Sequence, residues 1–217
     1  LAVEDGLVAV DKPAGISSIG LALDDEACLQ HHLIRRFGGM VWGVHQLDKD
    51  TTGVNLFVLE KRLVEVCRRR MTPPSGEKRY VALCAGTPRD DAFTVEAPIG
   101  FLDADERFLG VTEEGKAACS DVRVLARGDG AAAIEVRLRT GRTHQIRIHL
   151  AHVGHPLLGE PWYRDAPCER APRQMLHARS LTLGAGDGRP SRTFVAPWPD
   201  DLRAVAASSG LPLDDGR

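Results

Sequence analysis

The sequence predicts an α+β fold, a mixed, largely antiparallel central sheet flanked by helices and loops. Three observations lead there. Apolar or alternating runs of strand length recur, and several follow one another with no helix between them. The 22 glycines and 13 prolines sit between these runs as punctuation and form no linker. Helical spacing is rarer and is clearest in two segments. At 217 residues the chain can bury a full core, removing roughly 70% of its unfolded surface from water. One domain is expected over residues 1–207. A flexible tail is expected over 208–217, where Gly, Pro and the pair Asp214 and Asp215 gather.

The elements follow in order. Leu7 to Val10 is an apolar run stopped by Asp11-Lys12-Pro13-Ala14-Gly15, a strand entering a turn. Val54 to Leu59 is a second strand-like run. Residues 61–70 read as a helix: Leu63, Val64 and Cys67 share a face, Arg62, Arg68, Arg69 and Arg70 can share solvent, and Pro73-Pro74 ends it. Arg79 to Ala85 alternates, with Tyr80, Ala82 and Cys84 on one side and Val81 and Leu83 on the other. Ile134, Val136 and Leu138 alternate with Glu135, Arg137 and Arg139, a half-buried strand. Thr143 then predicts an N-cap for a helix to Val153, with Ile146, Leu150 and Val153 on one stripe and Gly154 and Pro156 closing it.

Composition excludes several classes. With 43% apolar and 27% charged residues the chain is neither disordered nor fibrous. No stretch approaches the ~18 apolar residues of a membrane span. No signal peptide is legible, so a cytoplasmic protein with no membrane partner is expected. The sequence starts at Leu1, which leaves a preceding segment open. A net charge of -2 excludes a uniformly basic surface but not a local one. Five cysteines with no CxxC pair favour reduced thiols over a zinc site or disulfides.

The polar segment His45-Gln46-Leu47-Asp48-Lys49-Asp50-Thr51-Thr52-Gly53 lies between apolar strands. The plainer reading is a solvated turn in which Asp48 or Asp50 bonds a nearby N–H. The sharper one holds a carboxylate at a cavity mouth as nucleophile or base, where it needs a cation to stay ionised. Arg137, Arg139, Arg142 and Arg147 offer such charges in one short stretch. Arg142 at a helix start suits an anion such as phosphate. Arg147, beside the apolar stripe, either pairs with a carboxylate or snorkels to solvent. His144, His149, His152 and His155 are badly spaced for a metal, since 144 and 149 lie about 140° apart on a helix. Hydrogen bonding within a packed helix end is expected instead, and no metal. Tyr80 reads either as a core ring or as one that stacks on a base. Lys12 reads either as a turn lysine or as a phosphate contact.

In combination these segments resemble the RluA/RsuA-type pseudouridine synthases. Val10 to Gly15 is similar to the family's "NKPAG" turn, and His45 to Gly53 to its "HRLDxxTSG" signature. Lys78-Arg79-Tyr80-Val81-Ala82 is similar to "KxYxA" and Leu176-His177-Ala178 to a late "LHA" element. Thr140 to Tyr163, TGRTHQIRIHLAHVGHPLLGEPWY, follows the family pattern almost throughout. The resemblance implies a cofactor-free isomerisation of uridine to pseudouridine in RNA, transfer or ribosomal, by a monomer acting on a flipped-out nucleotide. It implies Asp48 as the catalytic carboxylate, Tyr80 as the stacking and proton-shuttling ring, and Arg147 as the arginine paired with Asp48. It also implies Leu176 as a wall of the base pocket, Gln46 and Thr52 at the substrate, and Lys12, Lys78 and Arg142 at phosphates. Gln46 replaces the family's arginine, which fills the space of the extruded base, and Thr52 replaces a serine. Nothing in the sequence resembles the small RNA-binding domain of many relatives. The competing readings are a catalytically impaired RNA-binding relative and a histidine-based metallohydrolase.

Overall fold

The computed structural model describes residues 1–20, 25–103, 105, 107–164 and 170–213. Its strands in chain order are β1 (Ala2–Glu4), β2 (Leu7–Lys12), β3 (Trp42–Gly43), β4 (Thr52–Val58), β5 (Glu77–Ala85), β6 (Ala92–Glu96), β7 (Ile99–Phe101), β8 (Leu109–Val111), β9 (Cys119–Gly128), β10 (Ala131–Leu138), β11 (Leu176–Leu183) and β12 (Arg192–Val195). The helices are α1 (Leu29–Phe37), α2 (Leu63–Arg70), α3 (Gln145–His152) and α4 (Asp200–Ser208). The expected domain is built as two compact units: Leu1–Lys78 with His177–Pro197, and Arg79–Leu176 with the residues from Trp198 onward. Mixed sheet and flanking helices together make the α+β fold expected.

In the first unit the strands run in the order β1, β2, β4, β11, with β12 beside β11 and β3 beside β4. Neighbours are antiparallel except β11, which lies parallel to β4 through His177 opposite Thr52 and Ala178 opposite Gly53. Both faces of this sheet are covered, which is why β2 and β4 read as continuous apolar runs. Leu7, Ala9, Val54, Leu56 and Val58 pack on one side with Leu63 and Cys67 of α2. Val8 and Phe57 pack on the other with Leu29 and Leu33 of α1. Gly53 is required at its position: a Cβ there would lie 2.3 Å from the Ala178 carbonyl oxygen, so only glycine lets the parallel strands approach.

One arginine of α2 departs from the solvent-facing expectation. Arg70 is buried, and donates from Nε to the Gly184 carbonyl at 2.8 Å and from Nη2 to the Pro190 carbonyl at 2.6 Å. The β11–β12 connection returns over the helix end and offers it bare carbonyls, which a guanidinium satisfies well.

In the second unit the order is β5, β10, β9, β6, all antiparallel. β7 and β8 form a separate hairpin. Val81 and Leu83 of β5 and Ala131 and Ala133 of β10 pack with Leu202, Val205 and Ala206 of α4. Leu211 joins the same cluster, and Ser208 belongs to α4. The tail expected from residue 208 therefore does not begin there: an apolar side chain past the helix end is better buried than left in water. Residues 214–217 lie outside the described residues.

α3 starts at Gln145, two residues later than the predicted cap. Thr143 does not cap it. His144 takes the cap position in the left-handed conformation, φ 55°, and the turn before it is held by Gln145 instead. The Gln145 side-chain oxygen accepts from the Arg142 N–H at 3.0 Å and the Thr140 hydroxyl at 2.8 Å. Its amide donates to the Cys119 carbonyl at 3.0 Å and the Ser120 hydroxyl at 2.9 Å.

Candidate active site

In the first unit, the segment before β4 is fastened on both sides of Asp48. The Ser18 hydroxyl accepts from the Leu47 N–H at 2.9 Å and donates to the Leu47 carbonyl at 3.2 Å. The Lys49 carbonyl accepts from the Lys12 ammonium at 2.8 Å and from the Gly15 N–H at 3.1 Å. The Asp48 carbonyl accepts from the Thr51 N–H at 3.0 Å, closing a turn. The backbone carrying this carboxylate is thus fixed from the Lys12 to Ser18 segment, and the Asp48 side chain is half-buried. Gln46, on the same segment, is exposed.

Lys12 corrects an expectation. It is 0% exposed, and its ammonium also donates to the Pro13 carbonyl at 2.9 Å and the Ile16 carbonyl at 2.8 Å. An ammonium has three protons, and these three carbonyls take them. Lys12 is a tie between two loops rather than a phosphate contact.

His45 fixes the start of the segment. Its Nε2 accepts from the Leu56 N–H at 3.2 Å, and its carbonyl accepts from the Asn55 side-chain amide at 3.1 Å. Burial first, and then the Lys78 charge, push its pKa down to about 3 against a hydrogen bond to the Gln46 backbone that raises it. The ring is therefore neutral, with the proton on Nδ1, as an accepting Nε2 demands. Lys78 is itself half-buried, and burial lowers its pKa. The Thr52 hydroxyl lies 2.9 Å from His177 Nδ1, both groups being buried.

In the second unit Tyr80 is buried on β5 opposite Val136 of β10. Leu176 is buried at the start of β11. Arg147 projects from α3 into a site with 3% of its side chain exposed, against a Glu160 side chain with none. The pair is two-pronged: Nε donates to one carboxylate oxygen at 2.9 Å and Nη2 to the other at 2.6 Å. The same Glu160 accepts from the Trp162 N–H at 3.1 Å. The Trp162 and Tyr163 rings lie over the guanidinium, with centroids 4.9 and 5.2 Å from its carbon. The Tyr163 hydroxyl is 2.6 Å from His144 Nδ1. A guanidinium held this way has a fixed plane, with the edge bearing Nη1 turned away from Glu160.

Glu160 and Ser18 are the residues that reading the sequence missed. Glu160 had a signal, being a lone acid in the apolar run HPLLGEPWY, where a buried carboxylate must find a cation. Ser18 had none. Arg142 is exposed and donates from Nε to the Ala117 carbonyl at 3.0 Å. It lines a cleft with Phe101, Leu109 and Lys116, and this cation-and-aromatic lining suits nucleic acid. His149 sits in a closed chain: the Ser120 hydroxyl donates to Nδ1 at 3.0 Å, and Nε2 donates to the Ala97 carbonyl at 3.0 Å. Among the described residues no three His, Cys, Asp or Glu side chains come together as a metal site.

The sequence profile of the RNA pseudouridylate synthase family matches residues 6–152. An uncharacterized RNA pseudouridine synthase of Mycobacterium bovis is 34% identical over 92% of this chain and 69% of its own length. The ribosomal large subunit pseudouridine synthase D of Nitrosomonas europaea is 35% identical over 93% of this chain and 62% of its own. The chain thus spans about two thirds of the length of these two relatives. The structure of human RNA pseudouridylate synthase domain containing 1 superposes with a TM-score of 0.79 at 26% identity, covering 94% of this chain and 85% of that one. The human domain containing 4 protein shares the fold, with a TM-score of 0.76 at 22% identity over 98% of this chain and 93% of that one. A family match through the Asp48 segment and α3, with the fold to go with it, leads to one conclusion: the chain belongs to the RluA-type RNA pseudouridylate synthases, isomerases that modify RNA.

Proposed function

We propose that the protein converts a specific uridine of a structured RNA, transfer or ribosomal, to pseudouridine, with Asp48 as the catalytic carboxylate acting on a flipped-out nucleotide. The observation that carries this is the fastening of Leu47 and Lys49 on either side of Asp48. A group that must meet a reacting atom is useful only if its backbone is held. A solvated turn has no need of a buried lysine and a buried serine to hold it.

The reaction is an internal exchange of bonds. Asp48 attacks the nucleotide, the bond from uracil N1 to the ribose C1′ breaks, and uracil turns. C1′ then bonds to C5 as the bond made by Asp48 breaks and frees its carboxylate, C5 gives up its hydrogen as a proton, and N1 gains one, so atoms and charge balance with no cofactor. Tyr80 stacks on the uracil and relays the proton, and Leu176 walls the base. Arg147 supplies the positive charge that keeps the carboxylate ionised when water leaves. Glu160 holds that guanidinium in one plane. Gln46 stands toward the gap left by the extruded base, Thr52 secures the strand end behind the site, and Lys78 and Arg142 face phosphates.

The test uses bulk transfer and ribosomal RNA carrying tritium at uracil C5. Isomerisation releases tritium to water. Release from one RNA class identifies the target class, and mapping pseudouridines lost on gene deletion then finds the uridine. RNA binding without release would make the protein a binding relative instead.

A further inference from the structure

Trp162 is 67% exposed, more than any other large apolar side chain among the described residues. A lone exposed apolar side chain needs no explanation. This one is braced. The backbone N–H beneath it donates to the buried Glu160 carboxylate at 3.1 Å. One side of its ring lies against the Arg147 guanidinium, 4.9 Å from carbon to centroid. The His144 ring stands 5.3 Å away at a tilt of 52°, and Tyr163 meets it edge-on at 6.4 Å. Tyr163 in turn packs on the cluster of Ile99, Ala118 and Ile148. The indole is a rigid plate, with a cation behind it and open solvent in front.

A plate of this kind suits a flat, electron-poor ring. A nucleobase offers one, and the same unit carries exposed cations for the phosphates of its chain: Arg142, in the turn before α3, shares a cleft with Lys116. Stacking of bases on aromatic side chains is tolerant of sequence, because every base has a π face. We propose that Trp162 is a stacking platform for a nucleobase of the RNA substrate, one adjacent along the strand to the reacting nucleotide. The adjacency rests on the proposed role of Arg147, against whose guanidinium the platform lies. The stacking itself does not depend on that role.

The experiment measures binding of two fluorescein-labelled probes: a short oligouridylate, and the abasic ribose phosphate chain of the same length. Trp162→Ala is expected to raise Kd for the oligouridylate about tenfold or more and to leave that for the abasic chain unchanged. Trp162→Phe, which keeps a π face, recovers most of the loss, whereas Trp162→Leu, which keeps only apolar bulk, does not. Should the alanine variant fold poorly, the phenylalanine and leucine pair carries the comparison. Equal loss on both probes, no loss on either, or recovery by leucine as good as by phenylalanine overturns the proposal. So does a fall in kcat with Kd unchanged, which would make Trp162 a mere cover for Arg147. These binding ratios need no turnover. If Asp48→Asn still isomerises uridine, the catalytic reading fails while the ratios stand.

Discussion

The ammonium of Lys12 donates to the carbonyl of Lys49, the residue directly after Asp48, at 2.8 Å and with no exposure to water. A cation that sequence reading assigns to a phosphate is thus spent on positioning the backbone next to the Asp48 carboxylate. Lys12→Gln leaves three carbonyls short of a charged donor. Each buried acceptor so orphaned costs roughly 1–3 kcal/mol, so thermal or denaturant unfolding should show a loss of several kcal/mol. The salt dependence of RNA binding should keep its slope. A slope reduced by about one phosphate contact, with stability intact, would return Lys12 to the RNA.

Glu160→Gln leaves the Arg147 guanidinium buried beside a neutral partner. Breaking one side of a buried pair costs about 3–5 kcal/mol. Removing both charges, as in Arg147→Met with Glu160→Gln, should cost less than the sum of the two single changes. Simple additivity in that cycle would mean the pair is not coupled.

His45 sets an acid limit on stability. Its folded pKa is about 3 against an ordinary 6.5, so below pH 6.5 the unfolded chain binds a proton that the folded chain refuses. Stability from this group is complete above pH 6.5 and falls as pH drops toward 3, up to tenfold in the folding equilibrium per pH unit. His45→Gln should flatten the unfolding profile in that window. An unchanged profile would mean the ring is protonated in the fold.

Gln46 is exposed on the Asp48 segment and uncharged. Gln46→Arg should tighten RNA binding at low salt and steepen its salt dependence by up to about one phosphate contact. Affinity measured across a salt series reads this directly, and an unaltered slope would remove Gln46 from the RNA path.

The parts of the fold that could be read from sequence are those fixed by neighbours in the chain. β10 is legible because Ile134, Val136 and Leu138 alternate with charged residues over a sheet with one apolar side. The start of α3 is not, because the Gln145 side chain folds back to bond Arg142 and Thr140, displacing the cap from Thr143. Arg70 and Lys12 mislead for the same reason: each looks solvated in sequence, and each is claimed by carbonyls that only the folded chain brings near. Of the proposed site residues, Asp48, Tyr80 and Arg147 stand in motifs and can be named without coordinates. Ser18, which holds Leu47 beside Asp48, acts across 29 residues of chain, beyond the reach of any local pattern, and Glu160, which holds Arg147 across 13, shows only as a lone acid in an apolar run.

If Asp48 does chemistry and not merely architecture, its amide variant keeps the fold and the RNA but loses the reaction. Tritium release from uracil C5 of RNA by Asp48→Asn, measured beside its RNA affinity, tests it most directly. Release should fall about a thousandfold or more while affinity and unfolding stay close to those of the unaltered protein. Release within tenfold of normal, or a loss explained by failed folding or failed RNA binding, would contradict it.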